Sequence, residues 1–573
     1  MNCVTYNKLQ IKGETGLLVE KITDHWLIGL RETNPAIIDM FRDRDVKPYR
    51  ELLPWSGEFA GKYITGAYYA YKLTGRRDLY DYIINFIDEM ISYQDVDGYL
   101  GCYAKESHLT GANSHDPTVG GMTWDSWANY HNMFGLLLWY ELTQKGTYLQ
   151  AVEKAAHLFM NTFYDGKRTI VSTGSSEMNL AVYHVFALLY NKTENAEYLD
   201  FALKIEQDLA DEAAGDYINC SQKGLEFYQC PKPRWESLHI IMGIAEMYRN
   251  TGNRMYLDVA SQIFYSILKT DVHNTGAFST DEQALGHPFK NSNIETCCVI
   301  AYNALGIDIY NLTGDVKIID FLERSHYNAV LGYYSPSGKW STYNTPMDGV
   351  KCANYHSINF QCRPGSPDLN CCSVNAPRGV AAVSEWLLTK DSETLYLNFY
   401  EDMHIETEEG VSIEVTGGYP ANGVVQIHIH SNKENQKVAF RIPKWSKNTI
   451  VTIKGEKYLP SAGEYFTIDA TKEAKVEIAF DYTPYIENGA LDYEGKSSIY
   501  IGPILYGYDA CDNAGIDWDN IPAIDNKELQ KAIPVQQKDG SIQLGFSNGI
   551  VLKDFYHLGS SGSFYKTWLD VNI

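Results

Sequence analysis

Two pairs of adjacent cysteines are the residues of this sequence best suited to chemistry. Cys371 and Cys372 lie side by side in NCCSVN, and Cys297 and Cys298 lie 74 residues earlier in NIETCCVIAYNAL. Adjacent cysteines do not bridge each other without strain. The chain has eleven cysteines at irregular spacing, which is not the pattern of a disulfide framework. Clustered thiols of this kind indicate a reducing, cytoplasmic location and point to metal binding or catalysis.

The pair Cys297 and Cys298 is preceded by a carboxylate, two residues before Cys297. The residues after Cys297 predict a helix, so Glu295 and Cys297 lie at its amino end, where non-helical backbone lets both point at one ion. Together with Cys371 and Cys372, expected on a loop, they offer three thiolates and one carboxylate, a tetrahedral zinc set. The alternative is that these cysteines are small buried hydrophobic residues, and the spacing leaves both open.

A metal-bound thiol would be ready to act as a nucleophile. A free cysteine is mostly protonated at neutral pH, and a coordinating metal removes that proton. Such a nucleophile needs an acid nearby, and the stretch FSTDEQALGHPFK offers Asp281 and Glu282 shortly before Glu295. The alternative for these two carboxylates is a solvated surface turn.

A weak repeat indicates the elements that must position these residues. It has a tyrosine, a threonine three residues later and an apolar residue about nine residues after the tyrosine, in segments beginning at Tyr71, Tyr140, Tyr190, Tyr248 and Tyr310. Each segment joins two helix-like apolar patterns and contains a helix stop followed by a new start. Five helical hairpins with long, uneven spacing favour a closed (α/α)6 barrel over an open solenoid.

Beyond residue 390 the pattern changes to short alternating runs such as VVQIHIHS and KVAFRIPKW, which predict an antiparallel β-sandwich. The segment Tyr6 to Val19 is also strand-like. We therefore expect an N-terminal strand segment over 1–15 that packs on the β module, the barrel over 16–390, the sandwich over 391–490 and a C-terminal β region over 491–573.

Composition excludes several classes of partner. The chain of 573 residues is 45% hydrophobic and has a formal net charge of −24, which argues against nucleic acid and anionic membranes as partners. No apolar run approaches the roughly 18 residues of a membrane helix, and the start of the sequence does not predict a signal peptide. The oligomeric state stays open between a monomer and a homodimer.

The sequence resembles glycoside hydrolase family 127, whose founding activity is β-L-arabinofuranosidase. The resemblance rests on ETC from Glu295, on the cysteine pair followed by Asn375, and on an acidic residue shortly before ETC. Supporting pieces are PWSGEFAGKYITGA from Pro54, DGYLG from Asp97 and RIPKWS from Arg441. It covers nearly the whole chain and implies an (α/α)6 barrel followed by β-sandwich modules.

The resemblance also implies roles for individual residues. It implies zinc held by Glu295, Cys297, Cys371 and Cys372, with Cys371 as nucleophile and a glutamate, Glu282 rather than Asp281, as general acid/base. The reaction would be retaining exo-hydrolysis that releases β-L-arabinofuranose, or a related pentose-type sugar, from plant-derived glycans. The implied partner is therefore a glycoside or oligosaccharide substrate. Candidate contacts to the sugar are His131, His239, Trp55, Glu58 and Trp124, and Trp127 is a further residue for the same region.

Two departures from the family lie next to the cysteines of the proposed zinc set. Ser373 and Val374 stand where many relatives have two prolines, and the role of Cys298, directly after Cys297, stays open. Two other functions compete. One is a carboxylate-dependent (α/α)6 glycosidase or lyase, such as an unsaturated-uronide hydrolase, that uses Asp125, Asp97 or Glu58. The other is a non-catalytic carbohydrate-binding protein with a structural zinc ion.

Overall fold

In a computed structural model of the chain, six helices pack side by side in a closed ring. The structure describes residues 1–50, 52–112, 123–164, 168–353, 369–433, 436–470 and 472–572. Within these residues, the α-helices of nine or more residues are α1 Glu14–Ile22, α2 Phe59–Thr74, α3 Arg77–Ser92, α4 Asp125–Thr143, α5 Gly146–Thr162, α6 Val182–Thr193, α7 Ala196–Asp208, α8 Leu238–Thr251, α9 Arg254–Thr270, α10 Thr296–Thr313, α11 Val316–Ser325 and α12 Cys371–Ala381.

The ring is formed by every second helix. Helices α2, α4, α6, α8, α10 and α12 pack in that order, and α12 returns to α2. Helices α3, α5, α7, α9 and α11 each pack behind the ring helix that precedes them, and α1 packs behind α12 and α2. The sequence explains this division, because ring helices such as α10 are apolar nearly all round, whereas α11 buries one face only. The predicted (α/α)6 arrangement is confirmed.

The predicted tyrosine–threonine repeat forms the turns between ring and outer helices. After each threonine the chain enters the left-handed region, with φ between 55° and 69°, at Gly75, Gln144, Glu194, Gly252 and Gly314. The N–H of that residue donates to the carbonyl oxygen of the repeat tyrosine, and the threonine hydroxyl accepts from the next N–H. One turn chemistry therefore closes five hairpins.

Strands begin where the ring ends, and two short strands come from the amino end of the chain. The described strands are β1 Asn2–Cys3, β2 Tyr6–Ile11, β3 Leu388–Lys390, β4 Thr394–Leu397, β5 Met403–Thr407, β6 Val411–Thr416, β7 Val424–Ser431, β8 Gln436–Ile442, β9 Ile450–Ile453, β10 Glu456–Tyr458, β11 Glu464–Ala470, β12 Glu473–Ala479, β13 Tyr485–Asn488, β14 Ser497–Ile501, β15 Ile504–Asp509, β16 Ile524–Asp525, β17 Val535–Gln536, β18 Ile542–Gly545, β19 Val551–Asp554, β20 Tyr565–Lys566 and β21 Val571–Asn572.

Three larger sheets follow the helices. One has the order β1-β3-β4-β8-β11, the second β10-β9-β12-β7-β6-β5-β2, and the third β13-β14-β15-β19-β18-β17 with β20 beside β15. Neighbouring strands are antiparallel, except for the parallel pairs β4–β8 and β16–β21. The first two sheets share a hydrophobic core with the helices, and the third has a core of its own.

The amino-terminal segment differs from the sequence expectation in its second half. Residues Tyr6–Ile11 form strand β2, which pairs with β5, but α1 begins at Glu14. The strand-like interpretation up to Val19 is therefore wrong. Leu18, Val19 and Ile22 bury one face of a helix, and a short apolar run does not distinguish a strand from such a face. None of the helices in the described ranges is both long and apolar enough to cross a bilayer.

Candidate active site

The amino end of α10 carries the first half of the cysteine constellation. Glu295 is the residue before the helix and has extended backbone, with φ −72° and ψ 137°. It pairs with Asn344 in an isolated β-bridge, and the next N–H, of Thr296, donates to the carbonyl oxygen of Tyr343 at 2.9 Å. This short pairing leaves the Glu295 side chain and Cys297, in the first helical turn, directed at the same point.

The amino end of α12 carries the second half. Cys371 and Cys372 are the first two helical residues, so the expectation of a loop is wrong for this pair. Asn370 caps the helix, because its Oδ1 accepts from the Ser373 N–H at 2.9 Å while Ser373 Oγ accepts from the Asn370 N–H at 3.0 Å. This reciprocal capping fixes the first turn and therefore the direction of both thiols.

The two helix ends bring four ligand groups together. The side-chain ligand atoms of Glu295, Cys297, Cys371 and Cys372 all lie within 4.8 Å of one another, and all four residues are buried. The sulfurs of Cys371 and Cys372 are 3.9 Å apart, and Glu295 Oε1 is 3.7 Å from the first and 3.3 Å from the second.

These separations match those around a small tetrahedral ion. Metal–sulfur bonds of about 2.3 Å place neighbouring ligand atoms about 3.8 Å apart at the corners of a tetrahedron. Three thiols and one carboxylate are also donors that a soft or borderline metal accepts. Four acidic groups buried together without a cation would be costly, so the described residues at this point fit a bound metal ion.

The pKa values of the three clustered thiols depend on one another and on the nearby charge of Lys62. Burial favours the protonated thiol of Cys297, but hydrogen bonds from Cys371 and Cys372 and the charge of Lys62 lower its pKa to about 6. The hydrogen bond to Cys297 raises the pKa of Cys371 to about 12, and burial raises that of Cys372. The hydrogen bonds and Lys62 therefore favour the thiolate most at Cys297, and metal binding would release protons from the thiols.

Glu58 and His131 lie beside the metal-ligand cluster; Glu58 immediately precedes α2, and His131 is in the second turn of α4. Glu58 Oε1 is 3.0 Å from Lys62 Nζ, and its other oxygen accepts from the indole N–H of Trp127. Burial raises the pKa of Glu58 to about 7 in spite of Lys62. His131 Nε2 is 4.0 Å from Glu58 Oε2 and has no hydrogen-bond partner in the described residues.

His239 lies close to both Trp127 and His131, with its ring centre 5.2 Å from that of His131. The Trp127 ring centre is 4.4 Å from that of His131 and 5.0 Å from that of His239. His239 Nδ1 is 2.8 Å from the hydroxyl of Tyr130. The structure therefore brings together Glu58, His131 and His239, three residues predicted to contact the sugar.

The two remaining aromatic candidates form a pair. The rings of Trp55 and Trp124 are 5.2 Å apart and tilted by 41°, and the Trp124 N–H donates to the carbonyl oxygen of Pro54 at 2.9 Å. Both side chains are partly exposed. They lie just before α2 and α4, so they belong to the same end of the ring as the metal-ligand cluster.

The acid candidate Glu282 is held by an arginine. Arg234 Nη2 is 2.7 Å from Glu282 Oε2 and 2.7 Å from Glu236 Oε1. Asp281 and Glu282 both have positive φ, 47° and 68°, a rare conformation outside glycine that turns their side chains apart. Asp281 is exposed, whereas Glu282 is close enough to add to the effect of burial in raising the pKa of Glu295.

Several residues around the site were missed in the sequence analysis. They are Lys62, Arg234, Trp235, Glu236 and Tyr343. A usable signal existed for Lys62, because it follows Glu58 by four residues within an apolar and aromatic stretch, a spacing that puts both side chains on one helix face. Tyr343, whose hydroxyl lies 3.5 Å from Cys371 Sγ, has no such signal, because it comes from an irregular segment far away in sequence.

Comparison with known proteins decides the family. The sequence matches the description "Beta-L-arabinofuranosidase, GH127 catalytic domain" over residues 31–385 and "Beta-L-arabinofuranosidase, GH127 middle domain" over residues 394–483. The chain belongs to glycoside hydrolase family 127. It is therefore a glycoside hydrolase, and the resemblance given in the sequence analysis is confirmed.

Solved structures of family 127 proteins share the fold. One described as a GH127 β-arabinofuranosidase aligns with a TM-score of 0.80 at 19% identity, covering 100% of this chain and 98% of that one. Ara127N, described as a GH127 β-L-arabinofuranosidase from Geobacillus stearothermophilus T6, aligns with a TM-score of 0.79 at 17% identity, covering 99% and 100%. No curated protein matches this family 127 chain in sequence.

Proposed function

We propose that this family 127 enzyme is a retaining exo-glycosidase that releases β-L-arabinofuranose, or a related pentose-type sugar, from plant-derived glycans. The observation that carries the proposal is the buried group of Glu295, Cys297, Cys371 and Cys372 at two converging helix ends. A zinc ion held by these four residues would keep the thiols ionised, including the one that attacks the sugar.

We assign the nucleophile to Cys371. Of the three clustered thiols it is the most exposed, at 5% against 0% for Cys297 and Cys372. In the first step its sulfur forms a bond to the anomeric carbon while the bond from that carbon to the leaving oxygen breaks. Charge at the amino end of α12 favours the thiolate that this step consumes.

We assign the general acid/base to Glu282. Its carboxyl gives a proton to the leaving oxygen in the first step and takes a proton from water in the second, while the sulfur leaves the anomeric carbon as thiolate. The charge and hydrogen bond of Arg234 orient the Glu282 carboxylate, and the unusual backbone at this residue is the kind of local strain found at reactive positions.

We assign sugar binding to His131, His239 and Glu58, with Trp55 and Trp124 as apolar walls. Two buried polar atoms beside Trp127, His131 Nε2 and Trp235 Nε1, have no hydrogen-bond partner among the described residues. Buried donors and acceptors are normally paired, and hydroxyl groups of a bound sugar would pair these two.

The test is Cys371→Ser, assayed on an activated β-L-arabinofuranoside together with a panel of other glycosides. We expect the variant to lose about 10³-fold or more in kcat/KM on the substrate that the wild-type protein cleaves, because a neutral hydroxyl is a poor nucleophile. The control is Cys220→Ala, which removes a buried thiol outside the four-ligand group. Activity that survives in Cys371→Ser, or activity on none of the glycosides, contradicts the proposal.

Zinc analysis and trapping complete the test. The wild-type protein should contain about one zinc per chain, and rapid denaturation during turnover should leave a pentose attached to the peptide that carries Cys371. A carboxylate-dependent enzyme would instead retain activity after thiol alkylation, and a non-catalytic binding protein would hold zinc without turnover.

A further inference from the structure

Lys62 is a buried ammonium group next to the metal-ligand cluster. It lies in the first turn of α2 with 1% of its side chain exposed. Its Nζ is 3.9 Å from Cys297 Sγ and 3.0 Å from Glu58 Oε1. The rings of Trp127 and Trp235 lie 5.5 Å and 5.1 Å from the same nitrogen.

A buried lysine in this position is not expected to stabilise the folded protein. Removing an ammonium group from water is costly, and a single carboxylate rarely offsets that cost in a protein interior. The cluster provides a reason for it. Three thiolates and one carboxylate carry four negative charges, two more than a divalent ion neutralises, and the Lys62 ammonium compensates part of the excess.

The Lys62 ammonium contacts one of these ligands directly, although its charge also acts on Cys371. Cys297 faces Lys62 and also lies 3.5 Å from the side-chain amide of Asn375. Cys371 has the hydroxyl of Tyr343 at 3.5 Å, and no lysine, arginine or amide donor contacts its sulfur within the described residues. A charge-assisted hydrogen bond stabilises a thiolate and reduces its electron donation, so the three thiolates are not equivalent.

We propose that Lys62, with Asn375, is a positioning residue that keeps Cys297 as the permanent ligand and thereby leaves Cys371 as the thiolate free to attack the sugar. The proposal rests on the zinc and nucleophile assignments of the proposed function. Lys62 itself touches no reacting atom in this assignment and acts through Cys297.

The test is Lys62→Met, which keeps the length of the side chain and removes its charge. Zinc affinity is measured by competition with a chromogenic chelator, and the cobalt-substituted protein reports on the thiolates. We expect zinc affinity to fall about tenfold or more, as for other outer contacts of metal ligands. The sulfur-to-cobalt charge-transfer band should move to longer wavelength, because the Cys297 thiolate loses its hydrogen bond and donates more strongly.

Lys72→Met is the matched control. Lys72 lies in the last turn of the same helix and pairs with Glu385 at 2.5 Å, away from the cluster. Its loss should leave zinc affinity and the cobalt spectrum unchanged. Asn375→Ala is the second variant. We expect it to change zinc affinity and the cobalt spectrum in the same direction as Lys62→Met, but by a smaller amount. It tests the proposal if Lys62→Met does not fold.

The outcomes separate this proposal from the proposed function. A wild-type protein that binds no zinc overturns both. A wild-type protein with zinc and arabinofuranosidase activity, combined with unchanged affinity and cobalt spectra in Lys62→Met and Asn375→Ala, overturns only the role of Lys62.

Discussion

At the scale of residues, identical side chains acquire different chemistry from their neighbours. Cys297, Cys371 and Cys372 share one cluster, yet the pKa of Cys297 is lowered to about 6 and that of Cys371 is raised to about 12. Cys298, one residue further on, has a raised pKa because it is buried and near Glu295, and it lies outside the four-ligand group. Cys297 and Cys298 share one helix end, so the groups around each sulfur, and not the helix end alone, distinguish these thiols.

The proposed acid/base leads to a prediction at this scale. Glu282→Gln should lower kcat on substrates with poor leaving groups by about 10²–10⁴-fold, because neither proton transfer can then occur. Added azide should restore turnover on an activated substrate, because azide attacks the glycosyl intermediate without a base. The measurement is kcat with and without azide, with product analysis for the glycosyl azide.

Glu236→Gln is the matched comparison, because Glu236 binds the same arginine and is buried. We expect Glu236→Gln to disturb the position of Arg234, and we expect added azide not to increase the kcat of this variant. Azide rescue in Glu236→Gln, together with near-normal turnover in Glu282→Gln, would transfer the acid/base role to Glu236.

The sequence allowed part of this site to be predicted. The four metal-ligand candidates lie in two short motifs whose residue types allow metal binding, and the resemblance to family 127 implied that the motifs converge. The residues that tune the cluster belong to other helices and loops. Asn375 and Lys62 reach Cys297 because α12 packs against both α10 and α2 in the ring, and no local pattern encodes these contacts.

At the scale of elements, the site is built from helix amino ends. Helices α10 and α12 each direct the positive end of a helix dipole towards the thiols. Helix α12 depends on its cap, because Cys371 and Cys372 lie in the first turn that Asn370 and Ser373 fix. Ser373 stands where many relatives have proline, so this chain orders the same turn by hydrogen bonds instead of a fixed φ.

The cap gives a prediction for α12. Asn370→Ala should lower the free energy of unfolding by about 1 kcal/mol, because the Ser373 N–H loses its acceptor. It should also weaken zinc binding, since both thiols lie in the turn that frays. Asn195→Ala is the control, because Asn195 also caps its helix, α7, by accepting from a backbone N–H in the first turn, that of Glu197 at 3.1 Å. Equal zinc affinity in the two variants would show that the cap does not support the cluster.

Elements were easier to predict than their ends. The tyrosine–threonine repeat identified five helical hairpins, because the turn needs a residue at positive φ and a hydroxyl acceptor at fixed offsets. The cysteine pair was wrongly expected on a loop, because the capping role of Asn370 depends on Ser373 accepting in return. That reciprocal contact is visible in the sequence only after the helix start is known.

At the scale of the whole molecule, the amino-terminal segment joins the helical ring to the sheets. Strand β2 pairs with β5, and α1 follows it at once to pack behind α2 and α12. The junction contains a buried carboxylate, Glu401, whose oxygens accept from the hydroxyl of Thr15 at 2.7 Å and from its N–H at 3.1 Å. Such long-range pairing cannot be derived from local pattern, since β2 and β5 are separated by the entire ring.

The buried carboxylate predicts how stability depends on pH. Burial raises the pKa of Glu401 to about 8 from its ordinary 4.5, so the folded protein binds a proton that the unfolded chain releases between these values. The stability from this group is therefore fully present below pH 4.5 and is lost as the pH rises through about 8, with a slope of at most about 1.4 kcal/mol per pH unit. Glu401→Gln cannot ionise and should show a flatter profile over this window.

Urea unfolding of the wild-type and Glu401→Gln proteins at several pH values between 5 and 9 measures this difference. The control is Glu414→Gln, on the neighbouring strand β6, whose side chain is 48% exposed and which should follow the wild-type profile. Parallel profiles for the wild-type protein and Glu401→Gln would contradict the prediction, because they would show that folding does not change the proton affinity of this buried carboxyl.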